Sequence, residues 1–396
     1  MAPKKDLDIA IIGGGIAGLT LAMALHHHGV PFTLYEQAPA FGGIGAGVSF
    51  TPSAIHAMQC CYDGIYAAFE KVCTRNEWES KQKLWFDYHD GYNTPPGRSF
   101  AISNSLGQKG VHRARFLDHL AKLIPKHVAR FNEVITSISG AAKGKLVMEF
   151  IDGTTAEAGH HSMRRYQVPS PARAVPDVQA IILSQLCAQN TCMNMRPGGH
   201  GLTSPVKSST VMIVVAFHTS EEPWKGSERN VRRATRADAL RDFTGHGQDV
   251  TKILQLIDEN AFVLSREVCM SGDAAHTTSP HHGAGAGFCI EDSTVLATPP
   301  SHEAVNSPAD LELVLAVFDE CRREKWQWLL ESSRFIGDCY ERRAEGVDSV
   351  FGKIEHEINT RNSIIADVEC PEMCQQARDS FSRKCGGIVR EFSAYI

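Results

Sequence analysis

The chain has no excess of basic charge: 40 Lys and Arg stand against 45 Asp and Glu, a net charge of −5. That excludes the positive field by which proteins hold nucleic acid or an anionic membrane surface. A disulfide framework is missing too. Twelve cysteines in 396 residues are sparse, none form CxxC, and the closest pairs are Cys60/Cys61 and Cys370/Cys374. They read as reduced thiols of a cytoplasmic protein, without a zinc site. There is no internal repeat and no low-complexity segment. Long apolar runs are absent with one exception. Residues 9–25 carry no charge and follow Lys4 and Lys5, the layout of an export signal. Four glycines, Gly13, Gly14, Gly15 and Gly18, fall inside that run at a spacing with another use, so neither export nor a membrane span is expected.

What is present is ordinary globular material, 43% hydrophobic and 21% charged, enough for roughly two to three domains. Residues 8–12 predict a buried strand, 13–15 a turn, 16–28 a helix and 32–35 a second strand. The helix shows Ile16, Leu19, Ala22 and Met23 on its buried side and closes at Gly29. Strand, helix, strand is the unit of a parallel sheet. Further on, the pattern predicts helices at 52–58 and 113–123 and a strand at 83–88. A hairpin turns at Asp152-Gly153, and strands follow at 211–217 and 268–270. A long helix covers 311–340 and a helical tail runs to about residue 390. Residues 195–209 and 297–308 read as linkers. The expected fold class is α/β, with a second, strand-rich domain inserted into the first and helices at the C-terminal end. The expected division gives 1–80, 111–172 and 265–345 to the first domain, 81–110 and 173–264 to the inserted domain, and 346–396 to the tail.

Gly13-Gly14-Gly15-Ile16-Ala17-Gly18 matches GxGxxG in its required setting, a strand before and a helix after. Gly13, Gly15 and Gly18 permit a tight turn and close approach of the backbone to a pyrophosphate, which then faces the helix N-terminus. Glu36, ending the next strand, is placed to accept hydrogen bonds from a ribose and to repel a 2′-phosphate, which favours FAD or NAD as the resident nucleotide. His26, His27 and His28 resemble a metal run, but they sit in a last helical turn, where cations are favoured.

A second motif narrows the class. Ser271-Gly272-Asp273-Ala274-Ala275-His276 is followed by Pro280-His281-His282-Gly283-Ala284-Gly285-Ala286-Gly287 and Glu291-Asp292. The Asp273 carboxylate at a strand end suits a ribityl hydroxyl. The glycine-rich helix start presents N–H groups to a second phosphate or to an isoalloxazine edge. Two such sites far apart in sequence suit a long, two-ended cofactor such as FAD.

Together, GGGIAG, VHRARF (residues 111–116) and SGDAAHTTSPHHGAGAGFCIED resemble the single-component FAD-dependent aromatic hydroxylases, in the salicylate-hydroxylase-like branch of the flavoprotein monooxygenases. RPGGHGLTSP, VMIVVAFHT and ESSRFIGDCYERRAEG resemble the same branch, so the likeness covers nearly the whole chain. The resemblance implies a Rossmann-type FAD-binding domain (1–80, 111–172 and 265–345) with an inserted β-sheet substrate domain (81–110 and 173–264) and C-terminal helices. It further implies non-covalent FAD, reduced by NADPH or NADH without a separate Rossmann domain. It implies oxygen transfer from a flavin hydroperoxide to a small phenolic substrate, with O2 as co-substrate. By resemblance, Gly13, Gly15 and Gly18 meet the pyrophosphate, Glu36 the adenosine ribose, and Arg113 the cofactor from its own helix. Asp273 meets the ribityl-phosphate region, and Pro280, Gly283, Gly285 and Gly287 lie against the flavin ring.

A phenol becomes nucleophilic on losing its proton, so a base beside the ring oxygen helps, in a site closed to water. His200, His281 and His282 are the candidates; loop histidines that only hydrogen-bond the backbone are the bland alternative. Trp85, Phe86 and Tyr88 are expected either to wall the aromatic site or to pack on a strand face.

Two departures from the family pattern stand out. The family carries an apolar strand ending in Asp-Gly that touches FAD and the nicotinamide nucleotide. Here residues 152–158 run straight into Gly159-His160-His161-Ser162, which keeps the Gly-x-x-Ser end without the strand or its aspartate. The stretch 258–267 is also short, and Pro299-Pro300 stop the preceding helix early. The readings left open are an aromatic hydroxylase, an oxidase or reductase of the same fold, and a non-catalytic flavin-binding remnant.

Overall fold

The computed structural model describes residues 7, 9–42, 47–92, 98–140, 145–159, 162–163, 189–206, 211–218, 231–234, 237, 240–241, 261–264, 278–301, 304–306, 308–347 and 349–393. Strands β1 (Ile9–Ile12) and β2 (Phe32–Glu36) pair in parallel, Ile9 against Phe32 through Ile12 against Tyr35. Helix α1 (Ile16–His27) joins them, and Gly29, at φ +67°, follows its end. The sequence predicts one buried side for α1, yet it is buried at Ile16 and from Gly18 through Leu25. The reason is a second cover: helix α5 (Gly285–Ala297) packs on the face away from the sheet, and Thr20 Oγ1 meets Ser293 Oγ at 2.9 Å.

Past β2 the sheet continues with β8 (Ala129–Phe131). On the other side of β1 lies β12 (Ser162–Met163), in parallel register Ala10 to Ser162 and Ile11 to Met163. This corrects the expectation of no strand near residue 160. A parallel ladder between buried backbones leaves polar groups that demand partners, and two residues suffice for a short rung. Two residues are too few to carry the apolar run by which a strand is recognised.

Around this core, β3 (Gly47–Ser49), β7 (Lys109–His112) and β4 (Thr74–Arg75) form a small antiparallel sheet. Helices α2 (Pro52–Cys61), α3 (Asp63–Glu70) and α4 (Arg113–Ala121) pack beside it. The meander β9 (Ile135–Gly140), β10 (Lys145–Phe150), β11 (Thr155–Gly159) turns at Gly153 as predicted, with φ +81°.

A five-stranded sheet has the order β15 (Val211–His218), β14 (Gly199–Val206), β13 (Cys192–Arg196), β5 (Leu84–Asp90), β6 (Arg98–Ser103). Its centre is the parallel pair β13–β5. Most of the first predicted linker is therefore sheet. The Pro197-Gly198 signal marks a hairpin between β13 and β14, with Gly198 at φ +74°, and Gly199–Val206 is largely buried. The second predicted linker joins α5 to α6 (Pro308–Tyr340) through a 3-10 turn at Pro299–Ser301, and Val305 is buried in the same core as α1. Strands β16 (Val231–Ala234) and β17 (Ala261–Leu264) pair separately. The predicted strand 268–270 lies outside the described residues.

Helix α6 has 33 residues, a rod about 50 Å long. Leu311, Val314 and Val317 lie in the core of the first sheet. Ile336, Cys339 and Tyr340, together with Ile354 and Ile358 of α7 (Phe351–Ala366), lie in a second core with Trp85, Phe86, Tyr88, Phe100 and Met193. The aromatic residues of β5 thus pack against the C-terminal helices. Helix α8 (Cys370–Ser393) returns to the first core through Cys370, Cys374, Ala377 and Phe381. Among the described residues no helix is long and apolar enough to cross a membrane.

Candidate active site

The glycine turn is built around one contact. An ideal Cβ at Gly18 would lie 1.9 Å from the Gly13 carbonyl oxygen, so only glycine lets the first turn of α1 close over the end of β1. Gly13 itself stands at φ +100°, and its N–H donates to Tyr35 O at 2.7 Å. Gly15 caps α1 without any side-chain hydrogen bond, which leaves first-turn N–H groups for an anion. Glu36 is buried at the tip of β2. Its Oε2 accepts the Gly14 N–H at 2.5 Å and its Oε1 the Ala38 N–H at 2.8 Å. Turn, open helix terminus and carboxylate therefore lie together and fit a dinucleotide that offers a pyrophosphate and a ribose. Arg113 opens α4 directly after β7. Asp273 lies outside the described residues. His26 and His27 end α1 as predicted, with the His27 ring against Tyr62 at 4.8 Å.

The second motif forms a 3-10 turn, Pro280–His282, followed by Gly283 at φ +66° and then by α5, which starts at Gly285 with no side-chain cap. Gly287 faces α2: a Cβ there would stand 2.8 Å from Ala54 Cβ. The turn is fastened to α6 by its two histidines. His281 Nδ1 lies 3.0 Å from Ser333 O, and His282 Nε2 lies 2.9 Å from Ser332 Oγ. Gly337 makes the seat for His281, since a Cβ there would come within 2.3 Å of the ring. Tyr340 donates its hydroxyl to His281 O at 3.1 Å, and burial holds that phenol well above its ordinary range.

Burial pushes His282 down to about 4, with the Arg361 charge adding to the effect and an Asn362 hydrogen bond opposing it. The folded value lies below that of free histidine, so the unfolded chain binds more protons between the two values. The associated stability is present above about pH 6.5 and is lost as pH falls toward 4, to a total of about 3 kcal/mol. His282→Gln is expected to flatten the loss of apparent melting temperature across that acid window. An unchanged slope would count against the assignment.

His200 sits apart from both glycine motifs in sequence and beside the second in space. It is fully buried on β14, between Phe217 of β15 (4.4 Å between ring centres), His281 (5.0 Å) and Tyr340 (5.1 Å). Its Nδ1 is 3.5 Å from Glu341 Oε1. The other carboxylate oxygen pairs with half-exposed Arg343 at 2.9 Å. Arg342 takes a left-handed conformation, φ +55°, which ends the run of α6, and it reaches Asp90 of β5 at 2.6 Å. Sequence reasoning missed Glu341. The available signal was an acid at a helix C-terminus, where the dipole disfavours negative charge.

The fold and the glycine turn define a Rossmann-type nucleotide-binding protein, and a model of the NAD(P)-binding Rossmann-like domain matches residues 11–56. The chain is 33% identical to the FAD-dependent monooxygenase pigN of Monascus ruber, over 96% of this chain and 98% of that protein. It is 30% identical to the salicylate hydroxylase asL1 of Sarocladium schorii, over 98% of this chain and 93% of that one. A solved salicylate hydroxylase–substrate complex superposes with a TM-score of 0.76 at 26% identity, covering 94% of this chain and 98% of its own. The chain belongs to the FAD-dependent monooxygenase family of salicylate-hydroxylase type, and FAD is its cofactor. The alignment with the Monascus protein runs over 430 positions, about fifty more than the residues this chain contributes to it.

Proposed function

We propose that this chain hydroxylates a small phenolic substrate at the expense of NADPH or NADH and O2, as a cytoplasmic enzyme. The observation that carries this reading is the buried His200–Glu341 pair, walled by Phe217 and Tyr340 and touching the turn that opens α5. FAD, when bound, supplies the activation of oxygen. Gly13, Gly15, Gly18 and Glu36 would hold its adenosine and pyrophosphate end. Arg113, Asp273, Pro280, Gly283, Gly285 and Gly287 would serve the remainder. The chain's own task is to take the proton from the phenol. His200 accepts it at Nε2, while Glu341 fixes the ring through Nδ1 and steadies the positive charge. Arg343 joins Glu341 to the solvent side. His281 shapes the wall, and His282, neutral near pH 7, anchors the turn to Ser332. The aromatic lining excludes water from the reacting ring.

The test is turnover of a panel of phenolic acids under isotopically labelled oxygen. One labelled oxygen atom in the product is the expected result. NAD(P)H consumption that yields only hydrogen peroxide across the panel overturns the reading. A second reading, a flavin-binding protein without turnover, is favoured by the two-residue β12 beside β1 and by the roughly fifty alignment positions that this chain leaves unfilled. It predicts flavin content without any labelled product.

A further inference from the structure

We propose that Arg342 is a positioning residue: by gripping Asp90 it holds Glu341 against His200. This rests on the reading of His200 and Glu341 given above and adds the device that aligns them. One rung of the five-stranded sheet carries both ends of the device. Asp90 of β5 stands opposite Met195 of β13, Met195 opposite His200 of β14, and His200 opposite Phe217 of β15. Residues directly opposite one another share a face of the sheet. Asp90 and His200 therefore point the same way, two strand spacings or about 10 Å apart. Their partners, Arg342 and Glu341, are neighbours in the chain, with Cα atoms about 3.8 Å apart. The end of α6 thus grips a single rung at two points.

The backbone there is closed by two hydrogen bonds, Arg343 N–H to Asp338 O at 2.9 Å and Arg342 N–H to Cys339 O at 3.1 Å. The left-handed residue of such a closure is most often glycine. Here it is Arg342, at φ +55°, where a side chain carries strain. The contacts of that side chain show what the strain supports. The guanidinium is nearly buried. Its Nη2 donates to Asp90 Oδ1 at 2.6 Å and to Met195 O at 3.4 Å, and the group lies 4.6 Å from the centre of the Phe351 ring of α7. Asp90 is braced in turn by the Tyr92 N–H at 2.9 Å. Glu341, one residue earlier, stays bonded through its N–H to Gly337 O at 3.0 Å, and its carboxylate meets His200 Nδ1 at 3.5 Å. Glycine at 342 would close the helix without strain and would remove this anchor on the rung.

The test compares Arg342→Gly, Arg342→Lys, Asp90→Asn and His200→Asn with the parent, as flavin-loaded full chains, on a neutral and a pre-ionised phenol. A displaced positioning contact costs up to about 10²-fold. Arg342→Gly should lower kcat on the neutral phenol by about tenfold or more, with KM within about twofold and little loss on the ionised phenol. Arg342→Lys should recover part of the loss. Combined with Glu341→Gln, Arg342→Gly should cost less than about twofold more, since both act through one carboxylate. If Arg342→Gly does not yield folded protein, Asp90→Asn, which keeps the shape and the Tyr92 bond, should show the same substrate dependence. Three results overturn the proposal: neutral-phenol kcat within about threefold of the parent in both latch variants, equal losses on the two phenols, or losses that multiply in the Glu341→Gln background. His200→Asn separates the two readings. If its loss depends on phenol acidity and that of the Arg342 and Asp90 variants does not, the latch alone fails; if its loss does not, the base assignment fails and the latch falls with it.

Discussion

Replacing His200 by asparagine is expected to lower turnover of a neutral phenol by about 10²–10⁴-fold, the range that a positioned general base contributes. The flavin content should stay that of the parent protein, because the Gly13–Gly18 turn and Glu36 are left intact and asparagine is small enough to leave the His281 turn seated on Ser333. The loss should depend on the substrate. A phenol acidic enough to arrive ionised needs no base, so its turnover should fall by about tenfold or less. Glu341→Gln retains the shape of the pair and removes the charge 3.5 Å from Nδ1. As a positioning residue, Glu341 should show an intermediate loss with the same dependence on phenol acidity. Product formed per enzyme per second across phenols of graded acidity is the measurement. His200→Asn turnover within about threefold of the parent on a neutral phenol would sink the assignment.

Arg322→Met should produce the largest loss of stability from a single side chain. Among the described residues Arg322 is the largest fully buried side chain. Its Nε donates to Asp292 Oδ1 at 2.6 Å and its terminal nitrogen to Glu291 Oε2 at 3.0 Å. Ser53 and Lys325 complete the shell of Glu291, Trp326 bonds Asp292, and the guanidinium lies over the Phe288 ring. Removing it strands two carboxylates in the interior with Lys325 as the nearby cation, a defect of about 3–5 kcal/mol. The apparent melting temperature at fixed scan rate should drop by on the order of 5 °C. Adding Asp292→Asn and Glu291→Gln should recover part of that loss, because the stranded charge itself carries most of the cost. A melting temperature equal to the parent's, or a triple variant worse by the sum of its parts, would count against this account.

Much of the cofactor end was legible in the sequence because its contacts are local. Gly14 and Glu36 meet at a separation of 22 residues, within one strand–helix–strand unit whose punctuation is glycine. The family likeness rested on the same short motifs. The proposed substrate side was less legible. His200 was singled out, but its surroundings depend on pairing β13 with β5 in parallel and on bringing the far end of α6 across the sheet. No periodicity encodes either. Composition misled at residues 195–206, where proline and glycine serve a hairpin inside a sheet. It was silent at Ser162–Met163, where a ladder rung exists without an apolar pattern. Full burial of α1 was hidden because its second cover, α5, comes from late in the chain.

Helix α6 works as a ruler. Arg322 locks one mark on it into the carboxylates of α5, and Glu341, the residue just past its end and still bonded to Gly337 O, stands beside His200. Between them the helix advances about 1.5 Å and turns about 100° with every residue. One residue inserted or removed in that interval would swing Glu341 away from the imidazole while Arg322 remained seated. The interval can therefore exchange side chains freely on its outer face, but its residue count is fixed by the two ends it has to serve.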